Sequence, residues 1–341
     1  MNKYLVTGGA GFIGSQLVDK LLSQRHQVIV IDDFSLGKKE NLAEHRRNKN
    51  LVVYRKSICQ DLTGIFKKEK PTVIFHLAAL PRVQFSIAEP TKTHQANVNG
   101  TLNLLETAKK FNLKRFVFSS SSSVYGDQTK MPLEEAMEPN PISPYALHKL
   151  ISENYARLYH LLYDLETISL RYFNVFGPRQ DSKGDYACLI PRFIKLINQG
   201  KRPTINGHGR QTRDFTFVDD VIEANLLAAQ TENKDCFGQV FNIGASRNNS
   251  VNQVTKEILK LAKKKIRPIH GPAVVEPKNS LADIEKAKKM LSWQPQVSFK
   301  KGLQKTYRYF VENEDWLILF SVLLSIQAPV AQWIERLPSE Q

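Results

Sequence analysis

Sulfur-containing residues are scarce in this chain of 341 residues, which has three cysteines and four methionines. Cys59, Cys188 and Cys236 are far apart, and they form neither a disulfide framework nor the paired spacing of a metal or redox motif. We therefore expect a reducing compartment and no metal centre. No secretory leader precedes the first apolar segment, so the sequence predicts a cytoplasmic protein.

Long apolar runs are also missing. Residues 316–326 are almost wholly apolar, but a helix needs about 20 apolar residues to cross a bilayer. We therefore expect no stable membrane insertion. Residues 316–341 are interpreted as a tail of unknown role, for which a buried helix, a membrane-surface anchor and a non-native extension all stay open.

Acidic residues are outnumbered, 33 against 48 lysines and arginines, which gives a net charge of +15. Such a charge is compatible with a nucleic-acid partner. However, the sequence shows no basic stripe interleaved with aromatic residues and no nucleic-acid-binding module. We therefore predict a solvated, lysine-rich surface and no nucleic-acid partner.

A glycine-rich segment, TGGAGFIG at residues 7–14, joins a strand-like apolar run to a run with helical spacing. Gly8, Gly11 and Gly14 permit a tight turn and a close approach of backbone to ligand. The helix that follows offers free N–H groups to a phosphate. In this strand–turn–helix context, the segment predicts a dinucleotide-binding loop.

A second strand-like run, residues 27–31, is followed by Asp32 and Asp33. A carboxylate at this position accepts both ribose hydroxyls of an adenosine. It would also repel a 2′-phosphate, which favours NAD over NADP.

Strand-like and helix-like runs alternate through the first half of the chain. This alternation predicts an α/β fold with a Rossmann-like, doubly wound parallel sheet. The pattern loosens after residue 171, so we assign residues 1–170 to the dinucleotide-binding domain and residues 171–315 mostly to a smaller, substrate-binding α/β part, some segments of which return to the sheet. The predicted strands cover residues 2–7, 27–31, 51–54, 72–76, 115–119 and 167–171, and the clearest helices cover residues 12–22, 101–111 and 145–163.

A tyrosine and a lysine four residues apart begin one of these helices. Ser143 and Pro144 form a good helix start, because serine can cap and proline is tolerated at the first helical position. Tyr145 and Lys149 then share one helix face. The ordinary pKa of tyrosine is near 10, and a neighbouring ammonium together with a nicotinamide ring favours the phenolate. Tyr145 is therefore the predicted catalytic base.

Five consecutive serines follow the strand-like run 115–119. The carboxyl end of a parallel strand lies at the sheet edge where such sheets bind ligands. Ser121 or Ser123 is therefore expected to hydrogen-bond the reacting hydroxyl, and both are candidate catalytic residues beside Tyr145 and Lys149.

Together these segments resemble the extended short-chain dehydrogenase/reductase family, and within it the nucleotide-sugar 4-epimerases. The resemblance extends from about residue 2 to residue 311. The motifs that carry it are TGGAGFIG at 7–14, HLAA at 76–79, NVNGT at 97–101, SSSSSVYGD at 119–127, SPYALHK at 143–149, LRYFNVFGPRQ at 170–180 and RDFTFVDD at 213–220.

The resemblance implies two sets of binding residues. The expected NAD site consists of Gly8, Gly11, Phe12, Ile13, Gly14, Asp32, Asp33, Gly37, Ser57, Ile58, Leu77, Ala78, Ala79, Asn97, Tyr145, Lys149 and Phe173. The expected UDP-sugar site consists of Arg82, Ser121, Asn174, Leu189, Asn206, Arg213, Glu276, Lys278 and Ser280.

Several positions narrow the expected reaction and substrate. Related dehydratases and decarboxylases carry carboxylic acids where this chain has Ser122 and Ser123, so both reactions are disfavoured. Epimerases restricted to non-acetylated hexoses carry a bulky tyrosine at Ser280, and serine leaves room for a 2-acetamido group. The chain departs from the family at Ser57, where an aspartate is usual, and at Ala273, where an arginine normally reaches the diphosphate.

The resemblance therefore implies an NAD-dependent enzyme that inverts C4 of a UDP-sugar through a 4-keto intermediate. UDP-N-acetylglucosamine and UDP-N-acetylgalactosamine are the expected substrates. UDP-glucose, or a UDP-hexuronic acid whose C6 carboxylate faces Arg82, is the alternative. A catalytically weak, NAD-binding regulatory protein is the alternative from another class. A homodimer is expected through helices 101–111 and 145–163, with Leu150, Tyr155 and Leu158 as candidate outer residues.

Overall fold

The structure is a computed structural model that describes residues 3–182, 188–273 and 277–313. Its strands are β1 (Lys3–Thr7), β2 (Gln27–Asp32), β3 (Leu51–Arg55), β4 (Val73–His76), β5 (Arg115–Ser121), β6 (Glu166–Tyr172), β7 (Thr204–Asn206), β8 (Thr212–Asp214), β9 (Gln239–Ile243), β10 (Asn248–Ser250) and β11 (Ile269–Gly271).

The helices cover both faces of the strands. They are α1 (Phe12–Ser23), α2 (Thr63–Glu69), α3 (Val83–Ala88), α4 (Pro90–His94), α5 (Gly100–Lys110), α6 (Pro144–Tyr163), α7 (Leu189–Asn198), α8 (Val218–Gln230), α9 (Val251–Leu261) and α10 (Glu285–Leu291). Residues 299–313 are also helical.

Seven parallel strands form the central sheet in the order β3-β2-β1-β4-β5-β6-β9. The predicted doubly wound parallel sheet is confirmed. β9 comes from the part of the chain that follows residue 170, and it forms the edge of the sheet beside β6. β8 and β10 form a small antiparallel pair, and β7 and β11 form a small parallel pair.

Alternating side chains of the strands enter two cores, as expected for strands buried on both faces. Tyr4 and Val6 of β1 belong to the core that also includes residues of α1 and α8. Leu5, between them, belongs to the core formed with α2, α5 and α6. The sheet is therefore covered on both faces, which leaves the carboxyl edge of its strands to form a site.

Candidate active site

A cavity of about 1770 Å³ runs along the carboxyl edge of the central sheet. Its walls come from the segments that follow β1, β2, β4, β5 and β6. A smaller cavity of about 330 Å³ adjoins it, since Asn174, Asn206 and Arg213 line both. Most predicted site residues therefore lie around one continuous space.

The glycine loop has the geometry of a phosphate cradle. Gly8 has φ +68°, and a Cβ at this residue would lie 2.8 Å from the backbone nitrogen of Ala78. A Cβ at Gly14 would lie 2.2 Å from the Gly8 carbonyl oxygen. Helix α1 begins at Phe12, and its N-cap residue, Gly11, provides no side-chain cap. The first N–H groups of α1 are therefore available to a pyrophosphate, so this loop fits a dinucleotide.

Asp32 ends β2 at the edge of the cavity, and it is buried. Its two carboxylate oxygens accept hydrogen bonds from the backbone N–H groups of Ala10, at 2.9 Å, and Phe34, at 2.8 Å. Burial raises the pKa of Asp32, and these two hydrogen bonds oppose the rise. Gly37 packs against this carboxylate, because a Cβ there would lie 2.6 Å from Oδ1. Each oxygen keeps a further lone pair, so Asp32 can still accept a ribose hydroxyl.

Helix α6 starts as the sequence predicts. Ser143 caps it by accepting a hydrogen bond from the Ala146 N–H group, and Pro144 occupies the first turn. The Ser121 side chain faces the Tyr145 hydroxyl and lowers the pKa of the phenol, and the Ser123 hydroxyl donates to Ser121 Oγ at 2.9 Å. The two candidate serines thus lie together at the end of β5, beside the proposed base.

Lys149 is 3% exposed, and its ammonium donates to the Ser119 carbonyl oxygen at 2.6 Å. The ammonium also lies 4.8 Å from the centroid of the Phe118 ring. Burial lowers the pKa of Lys149 to about 7, although the nearby Glu153 raises it. Lys149 is thus a strongly desolvated cation that faces the cavity.

The protein groups around Tyr145 raise its pKa rather than lower it, and the effect expected from the nicotinamide ring stays a prediction. Burial raises the pKa of Tyr145 to about 12, because desolvation outweighs the opposing effect of Ser121. Lys149 lies 6.0 Å from the centroid of the Tyr145 ring, and it is not among the groups that shift this pKa. A further positive charge is therefore needed to form the phenolate near neutral pH.

A buried ion pair between Arg171 of β6 and Glu153 of α6 holds this helix against the sheet. Glu153, one turn after Lys149, accepts hydrogen bonds from Arg171 Nε at 2.9 Å and Arg171 Nη2 at 2.7 Å. It also accepts one from the Ser120 hydroxyl. Strand β5 is consequently tied to α6 by hydrogen bonds of two consecutive residues, Ser119 and Ser120.

Ser280 lies in the wall of the large cavity, and it is buried. Its hydroxyl oxygen accepts hydrogen bonds from Asn174 Nδ2 at 3.2 Å and from the backbone N–H group of Asp214 at 3.3 Å. The Asp214 carboxylate in turn accepts from the Ala282 backbone at 3.0 Å. The two hydrogen bonds from Asn174 and Asp214 therefore fix the position of the Ser280 side chain in the wall.

Four of the predicted site residues that the structure describes lie elsewhere than in the wall of the large cavity. Phe173 is fully buried, and its ring packs against Tyr125. Asn97 is buried, where its side chain binds the backbone of Leu80. Leu189 lines only the smaller cavity, and Lys278 is exposed outside both. Glu276 lies outside the described residues.

The other predicted residues line the large cavity. They are Gly8, Gly11, Phe12, Ile13, Gly14, Asp32, Asp33, Gly37, Ser57, Ile58, Leu77, Ala78, Ala79, Arg82, Ser121, Ser123, Tyr145, Lys149, Asn174, Asn206, Arg213 and Ser280.

Several charged lining residues were not predicted. Lys38 and Asp181 line the large cavity, and Arg192 of α7 lines both cavities. Arg192 is a cation on the substrate side, where the family's usual arginine is replaced by Ala273. None of the three was a predicted site residue, because their place in the cavity wall depends on how distant loops meet in the fold.

The family model for the NAD dependent epimerase/dehydratase family matches residues 4–244. The chain belongs to this family. Members of the family use NAD, and the glycine loop and the buried Lys149 described above fit that cofactor. This assignment confirms the predicted family and the predicted cofactor.

Solved structures of relatives share the fold. The chain is 40% identical to a UDP-glucose 4-epimerase from Thermotoga maritima with UDP-glucose, with a TM-score of 0.87 over 91% of this chain and 99% of that one. It is 37% identical to a UDP-N-acetylglucosamine 4-epimerase from Methanobrevibacter ruminantium in complex with UDP-N-acetylmuramic acid, with a TM-score of 0.86 over 92% and 99%. It is 35% identical to a UDP-glucuronic acid 4-epimerase from Bacillus cereus in complex with UDP-glucuronic acid and NAD. The TM-score is 0.85, and the match covers 91% of this chain and 99% of that one.

Two further features concern the described part of the chain. No helix within it is long and apolar enough to cross a membrane. It also contains no cluster of three or more side chains that could hold a metal ion.

Proposed function

We propose that this family member inverts C4 of a UDP-sugar, and that its substrate is UDP-N-acetylglucosamine or UDP-N-acetylgalactosamine. The observation that carries the proposal is the convergence of Tyr145, Lys149, Ser121 and Ser280 on the cavity that contains the dinucleotide loop. The three relatives named above are 4-epimerases of UDP-sugars, which supports the reaction but leaves the sugar open.

In the proposed reaction each catalytic side chain has a role. Tyr145 takes the proton of the C4 hydroxyl and returns it to the same oxygen after the 4-keto sugar has turned its opposite face to the cofactor site. Ser121, which faces the Tyr145 hydroxyl, binds the same oxygen as it changes from hydroxyl to ketone and back. Lys149 contributes positive charge beside the tyrosine. When bound, NAD supplies the reversible two-electron oxidation of C4.

The uridine diphosphate portion fits the smaller cavity. Asn174, Leu189, Asn206 and Arg213, which the family resemblance assigns to this portion, all line it. Arg192 lines it as well, and a guanidinium is suited to a diphosphate through charge-assisted hydrogen bonds. We infer that Arg192 compensates for the arginine that is absent at residue 273.

Ser280 favours an N-acetylated sugar. The acetamido group needs space while the 4-keto sugar rotates, and a short side chain at this buried wall position provides it. Arg82 disfavours a hexuronic acid, because its guanidinium already lies 2.6 Å from the Asp181 carboxylate. A C6 carboxylate would have to displace Asp181 or share the cation with it.

A complete catalytic set argues against a purely regulatory NAD-binding protein. Tyr145, Lys149 and Ser121 are all present and are linked by hydrogen bonds or packing to the end of β5. Turnover of a UDP-sugar panel, followed by NMR of the products, tests the reaction class. Absence of C4 inversion for every UDP-hexose, hexosamine and hexuronate would leave only the regulatory role.

The substitution Ser280→Tyr tests the sugar. We expect the ratio of kcat/KM for UDP-N-acetylglucosamine to that for UDP-glucose to fall by about tenfold or more, because steric exclusion of one group in a pocket is worth about 10- to 200-fold. Ser23→Tyr, at an exposed position of α1, is the matched control. An unchanged ratio in Ser280→Tyr would remove the main support for the N-acetylated substrate.

We also propose a homodimer that buries the outer face of α6. Leu158, Leu161, Leu162 and Tyr163 are 43–65% exposed near the carboxyl end of this helix. Of the outer residues expected from the sequence, Leu158 is exposed, whereas Leu150 and Tyr155 are half-buried against the two cores. A contiguous apolar patch of this kind is typical of an interface.

A further inference from the structure

One carboxylate joins the loops that follow three different strands. Asp181, which follows β6, has its Oδ2 atom 2.6 Å from Arg82 Nη2 and its Oδ1 atom 3.5 Å from Lys38 Nζ. Lys38 follows β2, and Arg82 follows β4. Because β2 and β4 flank β1 in the sheet, the two cations stand on either side of the glycine loop that follows β1. Asp181 thus joins the two cations that lie on opposite sides of the glycine loop.

The segment that carries Asp181 is also fixed to the helix that begins at the glycine loop. Gln16 Nε2 of α1 donates to the Pro178 carbonyl oxygen at 2.9 Å. Arg179 Nη1 donates to Asp19 Oδ2, also of α1, at 2.7 Å. Residues 177–181 therefore lie against the first turns of α1, next to the N–H groups that are available to a pyrophosphate.

Arg82 has a backbone conformation that suits this bridge. Its φ and ψ angles are +89° and +110°, a combination that L-residues rarely adopt. Such strain persists where the surroundings hold the residue in place, and it is concentrated at ligand-binding sites. The ion pair with Asp181 is a contact that holds it.

We propose that Lys38, Arg82 and Asp181 form a clasp that retains the dinucleotide between turnovers. The two cations flank the site of the pyrophosphate and shield it from the Asp181 carboxylate. The dinucleotide cannot leave across the glycine loop until the clasp opens. Retention suits an enzyme that returns its cofactor to the starting state in each cycle. The proposal rests on NAD as the cofactor and not on the identity of the sugar.

The rate of NAD release from the holoenzyme tests the clasp. Protein loaded with radiolabelled NAD is chased with excess unlabelled NAD, with no UDP-sugar present. Asp181→Asn removes the ion pairs with Lys38 and Arg82. A partly exposed ion pair changes the equilibrium constant between the closed and open clasp by up to about fivefold. We therefore expect release to accelerate by about 3- to 30-fold. Asp219→Asn breaks the exposed pair with Lys305, which lies outside the cavity, and should change the rate less than twofold.

Two measurements separate retention from a general loss of stability. Salt should accelerate NAD release from the unmodified protein more than from Asp181→Asn, because only the former has an ionic clasp to screen. Arg82→Gly removes the cation and relieves the backbone strain, so NAD should leave faster while Tm stays the same or rises. A lower Tm with an unchanged release rate would mean that Arg82 is merely structural.

The sign of the Asp181→Asn effect decides between two arrangements. If the carboxylate instead repels the pyrophosphate and must swing away for binding, the variant will release NAD more slowly. Slower or unchanged release would overturn the clasp. Because the experiment contains no sugar, a failure of the proposed epimerase substrate would leave this result unaffected.

Discussion

Lys149 should make the protein less stable at neutral pH than it would be with an apolar residue. Burial lowers its pKa from 10.5 to about 7, which corresponds to about 5 kcal/mol at about 1.4 kcal/mol per pH unit. Lys149→Met removes this cost and keeps a similar volume. It also leaves the Ser119 carbonyl oxygen without its donor, at a cost of about 1–3 kcal/mol. We therefore expect the variant to be about 2 kcal/mol more stable at pH 7, although inactive.

The stabilisation expected for Lys149→Met depends on pH, and its direction follows from the Lys149 pKa. The unfolded chain keeps the Lys149 proton up to about pH 10.5, whereas the folded protein loses it near pH 7. Between these values the unfolded state binds more protons, so this group makes stability rise with pH. The advantage of Lys149→Met should therefore shrink from pH 7 upward and vanish or reverse near pH 10.

Thermal unfolding of NAD-free protein at several pH values measures the effect. A gain of about 2 kcal/mol corresponds to a rise in Tm of about 3 °C, because the unfolding entropy of about 2.1 cal/mol/K per residue is large for a chain of 341 residues. Lys256→Met, at an exposed position of α9, is the control and should show no such pH-dependent difference. If Lys149→Met is destabilised equally at pH 7 and pH 10, the buried cation is not a source of instability.

Three further predictions concern catalysis, cofactor binding and assembly. Tyr145→Phe should lower kcat by about 10²–10⁴-fold and leave the Kd of the UDP-sugar within a few-fold, as steady-state kinetics and calorimetry would measure; near-normal turnover would exclude Tyr145 as the base. Gly14→Ala should purify with far less NAD than the unmodified protein, because its Cβ would lie 2.2 Å from the Gly8 carbonyl oxygen; equal nucleotide release on denaturation would contradict this. Leu158→Glu combined with Leu162→Glu should convert a dimer to a monomer in light scattering, and a monomeric unmodified protein at micromolar concentration would refute the interface.

Local patterns predicted most of the sheet. The runs at residues 27–31 and 115–119 appear as β2 and β5. They were predictable because a central parallel strand is apolar on both faces, so its sequence identifies it without knowledge of the neighbouring strands. Residues 239–243, which form β9, were not among the predicted strands. The pairing of β9 with β6 could not be inferred, since a strand at the sheet edge is placed by packing over a distance of about seventy residues.

Local motifs likewise predicted two kinds of site residue. The glycines were predicted because the loop needs their backbone conformation, and the tyrosine and lysine because they share one helix face. Gly8, Gly14, Tyr145 and Lys149 all line the cavity as expected. The pKa of Tyr145 was not predictable in the same way. Its direction depends on how much solvent the folded chain excludes, and helical spacing between Tyr145 and Lys149 says nothing about that.

The unpredicted clasp and the unexpected pKa values have a common explanation in the topology of the sheet. Arg82 and Asp181 are 99 residues apart, and they meet only because β4 and β6 end at the same edge. Desolvation at that edge also raises the pKa of the Tyr145 phenol and lowers the pKa of the Lys149 ammonium. The base therefore needs the positive charge of the oxidised cofactor, so losing NAD would remove the hydride acceptor and deactivate Tyr145 together. Residues that slow NAD release thus preserve both functions of the site, which gives the clasp a role even when NAD is abundant.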